Sequence, residues 1–132
     1  LNVGLAGNVG KSFALQVAEN AFDYFVLELS SFQLDDMYAF RAHIAILTNI
    51  TPDHLDRYDY KFENYIQAKF RILQNQTAED FFIYNYDDPT TKAFMEGKSL
   101  PMQCIPYTIT EQTFGIGAYT QNENLIISIN HN

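Results

Sequence analysis

Glu28, His54 and Lys69 are the residues whose types and settings could do chemistry together. Glu28 closes the apolar run Phe25-Val26-Leu27-Glu28-Leu29, at the carboxyl end of an expected strand, where open α/β sheets place their ligands. A carboxylate there needs a compensating partner. A metal ion would serve, and so would hydrogen bonds from Ser30 and Ser31; the residue types leave both readings open. Gln33, two residues beyond Ser31, adds a neutral donor and acceptor suited to a sugar or an amide. Asp53 and His54 end the loop Thr48-Asn49-Ile50-Thr51-Pro52-Asp53-His54, behind a second apolar run, Ile44-Ala45-Ile46-Leu47. Were the two runs adjacent strands, Glu28 and His54 would come near each other. A carboxylate oxygen and an imidazole, completed by water and phosphate oxygens, would suit Mg²⁺ or Mn²⁺. The plainer reading of His54 is a turn residue.

Lys69 lies one helical turn after Tyr65 and directly before Phe70. A helix lysine is ordinarily a solvated charge. Partly buried near a metal, it can instead shed its proton, and the neutral amine can take up CO₂ as a carbamate. The glycine-bearing segment Gly4-Leu5-Ala6-Gly7-Asn8-Val9-Gly10-Lys11-Ser12 invites a P-loop reading, yet the register refuses it: the required first glycine falls on Leu5. A simple glycine turn, or a backbone-rich loop against a different phosphate, remain as readings. Asn85, Asp87 and Asp88 either help hold a ligand or form a helix-capping turn. Cys104 reads as a small core residue. His43 and His131 lack acidic neighbours along the chain and read as structural.

The elements that must position these groups alternate between short apolar runs and stretches of helical period, the pattern of βαβ units around a mainly parallel sheet, so the fold class is α/β. Phe13, Val17 and Ala21 mark a helix, Phe25–Leu29 a buried strand, and Leu34–Tyr38 a short helix. Ile44–Leu47 is expected to be a second buried strand, with Pro52 suited to the first turn of a helix. Ile66, Phe70 and Leu73 recur at i, i+4, i+7 in an amphipathic helix from about Phe62 to Gln74. Phe81–Tyr84 is a strand, Thr90–Met95 a helix stopped by Gly97, and Gln103–Ile105 a weak strand. Thr113–Tyr119 and Leu125–Ile129 flank Gln121-Asn122-Glu123-Asn124 as a C-terminal β-hairpin.

Composition narrows the function classes. The 132 residues, 47% of them hydrophobic, suffice for one sizeable core, and a single domain over 1–132 is expected. The net charge of −8 with no basic run argues against nucleic acid and anionic membrane surfaces as partners. One cysteine, no signal peptide and no apolar stretch near the roughly 20 residues of a membrane span point to the cytoplasm. A chain opening on Leu1-Asn2-Val3-Gly4-Leu5 reads as part of a longer protein.

Three segments, taken in order and separation, resemble the central domain of the Mur ligases: Gly7-Asn8-Val9-Gly10, Glu28-Leu29-Ser30-Ser31-Phe32-Gln33-Leu34, and Leu47-Thr48-Asn49-Ile50-Thr51-Pro52-Asp53-His54-Leu55-Asp56-Arg57. The Glu-Leu-Ser-Ser-Phe-Gln-Leu form is most similar to the branch that adds D-glutamate to UDP-N-acetylmuramoyl-L-alanine in peptidoglycan synthesis. The Tyr65–Lys69 helix resembles the family's carbamylated-lysine helix, and Lys69 stands 15 residues after His54. The resemblance implies a P-loop/Rossmann-like fold and an ATP-dependent ligation through an acyl phosphate. It implies Glu28 and His54 at a Mg²⁺ (or Mn²⁺) site, Lys69 as a carbamate placing a second metal, and Asn8, Ser30 and Gln33 as contacts to the UDP-sugar. The family's P-loop precedes the Gly-Asn-Val-Gly turn and two further domains flank this one, so the chain by itself is expected to be inactive. A folylpolyglutamate-type ligase and a non-catalytic binding module of the same fold are the alternatives.

Overall fold

The computed structural model describes residues 1–109 and 115–128. Its contacts gather into two compact units, Leu1–Met37 and Tyr38–Asn132. In the first, β1 (Val3–Gly7) and β2 (Tyr24–Glu28) pair in parallel, joined through α1 (Phe13–Glu19) and followed by α2 (Ser31–Asp35). In the second, β3 (Ile44–Leu47), β4 (Phe81–Asn85), β5 (Gln103–Thr108), β6 (Gly117–Gln121) and β7 (Asn124–Ser128) form one sheet in sequence order. The β3–β4, β4–β5 and β5–β6 pairs are parallel, and β6–β7 is antiparallel. The expected α/β class, mainly parallel sheet and C-terminal hairpin are all present. Asn122 and Glu123 turn the hairpin with φ of 48° and 63°, the paired positive φ of a type I′ turn. Thr113, Phe114, Ile129 and His131 lie outside the described residues.

The first unit packs Phe25 between Phe13 and Phe22, edge to face at 4.9 and 5.5 Å. Gln16, not an apolar residue, is the buried side chain of α1. Its Nε2 donates to the carbonyls of Leu5 and Lys11 at 2.6 and 3.2 Å, satisfying backbone groups at the end of β1. Contrary to the expectation of a buried strand, β2 exposes Tyr24 and Val26. β1 likewise alternates, hiding Gly4 and Ala6 and showing Val3 and Leu5.

β3 is also only half covered: Ala45 and Leu47 are buried while Ile44 and Ile46 are exposed. On the neighbouring β4, Phe82 meets Phe70 of α3 (Phe62–Phe70) at 6.2 Å, and Phe70 stacks on Phe94 of α4 (Pro89–Met95) at 3.5 Å. Phe82 is wholly buried, a burial that contributes about 2–3 kcal/mol. An apolar run predicts burial on both faces, and a strand covered on one face buries only alternate residues. α3 ends at Phe70 and tightens into a 3₁₀ turn, Arg71–Leu73, short of the expected Gln74. Its buried residues are Tyr65, Ala68 and Phe70, so the buried stripe runs through Tyr65 while Ile66 is half-buried.

At the amino-terminal edge of the larger sheet, Asp80 is fully buried and receives Arg41 Nε and Nη2 at 2.7 and 3.0 Å. It also receives the Thr77 amide at 2.7 Å, and His43 Nδ1 stands 3.1 Å away. His43 therefore has an acidic partner after all, supplied from the start of the next strand rather than from its own loop. The Arg41 guanidinium, then the Thr77 amide and His43, hold the Asp80 carboxyl far below the usual carboxylate range against the opposing effect of burial. A carboxyl whose folded pKa is depressed contributes stability that is fully present above its unfolded value, near 3.9, and is lost as pH falls through the folded value. Acid unfolding of the wild type should thus steepen below about pH 4. In Asp80→Asn that part of the pH dependence should vanish and the urea midpoint at pH 7 should fall; equal midpoints for the two proteins at pH 7 would refute the assignment.

Candidate functional site

In the first unit the candidate residues gather around the loop after β1. Gly7 has φ of 104°, and a Cβ there would stand 2.2 Å from the Glu28 carbonyl oxygen, so only glycine lets this turn lie against the end of β2. The next residue uses that approach: the Asn8 amide donates to the Glu28 carbonyl at 2.7 Å. Asn8 Nδ2 then donates to Glu28 Oε1 at 3.4 Å. Glu28 is exposed, and the structure brings Asn8 and Glu28 together as one polar corner at the carboxyl end of two parallel strands. The compensation open to Ser30 and Ser31 goes elsewhere. Ser30 caps α2, accepting from the Gln33 amide at 3.3 Å, while Gln33 Oε1 accepts from the Ser30 amide and hydroxyl at 2.9 and 3.1 Å. This is a reciprocal capping box. The Ser-x-x-Gln spacing carries that signal in the sequence, and it starts the helix at Ser31 rather than Leu34.

The second unit presents His54 and Lys69 on neighbouring elements. The loop after β3 does not open a helix at Pro52; it reaches a 3₁₀ turn only at Leu55–Tyr58. His54 precedes that turn in the left-handed region, φ 48° and ψ 34°, a conformation in which histidine is enriched but which costs energy for any residue with a Cβ. Its side chain is 58% exposed, with Nε2 3.5 Å from Asp53 Oδ2. The turn docks on α3 through Tyr58 and Tyr65, edge to face at 5.5 Å. Tyr65 links the two candidates: the Lys69 ammonium lies 5.5 Å from its ring centroid. The Tyr65 hydroxyl is pushed above the ordinary tyrosine value by burial and then by the charge of Asp53. Lys69 is half-buried.

Asp87 and Asp88 do more than cap a turn, which sequence reasoning left undecided. Asp88 caps α4 by accepting from the Thr91 amide at 2.8 Å, and its other oxygen accepts from the Ile50 amide at 3.4 Å. Asp87 reaches the opposite neighbour, accepting from the Thr108 hydroxyl at 2.5 Å and the Ile109 amide at 2.7 Å. Tyr107 Oη donates to the Thr48 carbonyl at 3.4 Å. Burial, then Asp87 and Asp88, raise its pKa and keep it a donor. No sequence signal could identify Tyr107, whose partner lies 59 residues away.

Among the described residues no three His, Cys, Asp or Glu side chains gather into a metal cage. A Mg²⁺ ion does not need one: it keeps several waters and takes one or two protein carboxylates beside substrate phosphates. The exposed Glu28 carboxylate, steadied by Asn8, is a donor of the required hard type, and His54 offers an exposed imidazole. Each residue taken by itself is of a type that fits a water- and phosphate-completed Mg²⁺ ion. No helix among those described is long and apolar enough to cross a membrane.

Comparison with known proteins reaches across both units. The family described as "Mur ligase middle domain" matches residues 6–128. A UDP-N-acetylmuramoylalanine--D-glutamate ligase from Christiangramia forsetii is 56% identical over 131 residues, 99% of this chain and 29% of that protein. The protein of the same name from Bacteroides fragilis is 56% identical over 128 residues, 97% of this chain and 29% of its own. That from Porphyromonas gingivalis is 50% identical over 132 residues, the whole of this chain and 29% of the relative. The chain thus spans less than a third of the curated relatives it matches.

Proposed function

We propose that this chain, which belongs to the Mur ligase middle domain family, is the central part of an ATP-dependent ligase that joins D-glutamate to UDP-N-acetylmuramoyl-L-alanine in the cytoplasm. The observation that carries the reading is identity of 50–56% over 97–100% of the chain to proteins that bear this activity in their names. Residues 1–132 then form one partial central domain, and the activity belongs to the longer protein rather than to this stretch alone.

In this reading the γ-phosphoryl of ATP passes to the substrate carboxylate, giving an acyl phosphate and ADP. The D-glutamate amine attacks the acyl carbon and phosphate leaves. Such transfers depend on positioning and on neutralising charge. Glu28 and His54 would hold Mg²⁺, or Mn²⁺ in its place, which when bound offsets the phosphate charge. Lys69, as a carbamate, would supply a second anionic anchor beside the His54 loop. Asn8 orients Glu28 through its amide, Ser30 fixes the start of α2, and Gln33 directs its Nε2 toward the UDP-sugar. The exposed acidic surface and net charge of −8 disfavour nucleic acid and membrane as partners.

The test is ADP release by the full-length protein with UDP-N-acetylmuramoyl-L-alanine and ATP. D-Glutamate should raise the rate at least about 100-fold over L-glutamate or glycine, a discrimination worth about 2.7 kcal/mol. Equal rates with the three amino acids would sink the assignment, whereas a preference for glutamate added to a folate would move it to another ligase of the family.

A further inference from the structure

We propose that Asp88 is a positioning residue that holds the Thr48–His54 loop, and hence His54, in its working conformation. His54 itself is held locally, donating its amide to Asp53 Oδ1 at 2.9 Å and accepting from the Arg57 amide at 3.0 Å, and the loop leading to it is tied from farther away. His54 sits in a left-handed conformation, at φ 48°, that a free loop would leave for the broader allowed regions. Ile50, midway along the loop, is buried and donates its amide to Asp88, itself only 7% exposed. At 3.4 Å this bond is longer than usual; its weight comes from the full negative charge of the acceptor and from burial, where water cannot replace it. The second oxygen of the same carboxylate is tied to the Thr91 amide at 2.8 Å, so the loop is referred to the head of α4 rather than to solvent. Asp87 extends the arrangement by fixing Thr108 and Ile109 at the end of β5, and Tyr107 of that strand returns to the Thr48 carbonyl. The ends of β3, β4 and β5 are thereby joined around one acidic dipeptide.

Two substitutions separate loop holding from helix capping. In Asp88→Asn the amide oxygen can keep accepting from Thr91, which turns the NH₂ toward the Ile50 N–H, donor against donor. In Asp88→Ser the cap is kept by a residue type suited to it, but the shorter side chain loses Ile50. In the full-length protein, amide hydrogen exchange across 48–55 should quicken about tenfold in both variants, the loss of one buried charge-assisted hydrogen bond, with exchange in α4 unchanged. The activity readout rests on the ligase reading: half-saturating Mg²⁺ should rise several-fold while KM for D-glutamate stays constant, a split that general loosening would not give. Unchanged exchange across 48–55 would overturn the proposal, as would quickening that extends equally through α4. If the wild type showed no ligation while exchange behaved as described, the ligase reading would fail and the role of Asp88 in holding the loop would stand.

Discussion

On the proposed ligase reading, removing the imidazole at position 54 of the full-length protein should lower turnover by about two to three orders of magnitude, and Glu28→Gln should do the same. The size follows from the loss of one fixed group that stabilises developing charge, worth roughly 10²–10³ in rate. His54→Ala alone would confound two effects, because alanine at φ 48° pays for the left-handed backbone. His54→Asn removes the imidazole with a residue that tolerates this conformation, so a comparable loss in both variants assigns the effect to the ring. Glu28→Gln keeps the shape and the Asn8 contact while discarding the charge. Both side chains are exposed, so melting temperatures should move little: exposed substitutions of this kind usually stay within about 0.5 kcal/mol. Steady-state rates titrated with Mg²⁺ decide the matter. Near-normal turnover at limiting Mg²⁺ in either variant would remove that residue from the metal site.

The sequence was most legible where local chemistry alone decides the structure. Strands at 24–28, 44–47 and 81–85, the helix carrying Lys69, and the hairpin turn at Asn122-Glu123 follow from apolar runs, helical period and residues that accept positive φ. The capping box of Ser30 and Gln33 was equally local and could have been read from its spacing. What escaped reading depends on partners far along the chain. His43 finds Asp80 across 37 residues and Tyr107 finds Thr48 across 59, and nothing in the composition of either segment foretells the pairing. Burial of the strands escapes the residue pattern for a related reason: Ile44 and Ile46 have the hydrophobicity of a two-sided core, yet burial is set by which face is covered. At the candidate site, Glu28 and His54 belong to separate units, and their partnership in one ion site rests on the chemistry proposed for the whole protein. The acidic dipeptide at 87–88 shows a further limit, since the same residue type and position serve a helix cap and a loop anchor at once.

On the same proposed reading, Lys69→Ala in the full-length protein should abolish ligation, and acetate or formate at high concentration should restore part of it. The proposal behind this result is that Lys69 works as a carbamate: the neutral Nζ attacks the carbon of CO₂, a C–N bond forms as one C–O π pair moves to oxygen, and the nitrogen sheds a proton to solvent. The product places a carboxylate where an ammonium stood, and it persists only where cations or hydrogen-bond donors hold the new charge. Lys69 is half-buried, its Nζ 5.5 Å from the centroid of the buried Tyr65 ring, a contact that favours the ammonium, so the carbamate must draw its stability from cations or donors that reach it in the whole protein. The 3₁₀ turn after His54 docks on α3 through Tyr58 and Tyr65, so His54 and Lys69 lie on neighbouring elements. In Lys69→Ala the position of the carbamate is vacated, so a small carboxylate can enter and carry the same charge. Rescue should therefore follow the size of the added acid, with formate and acetate effective and bulkier carboxylates not, and KM for D-glutamate should change less than turnover. ¹³CO₂ labelling of the wild type, read as a carbamate carbon resonance that grows in the presence of Mg²⁺ and nucleotide, supplies a measurement that does not depend on turnover. A fully active alanine variant would end the proposal, and failure of both rescue and labelling would leave Lys69 as a charged side chain resting on Tyr65.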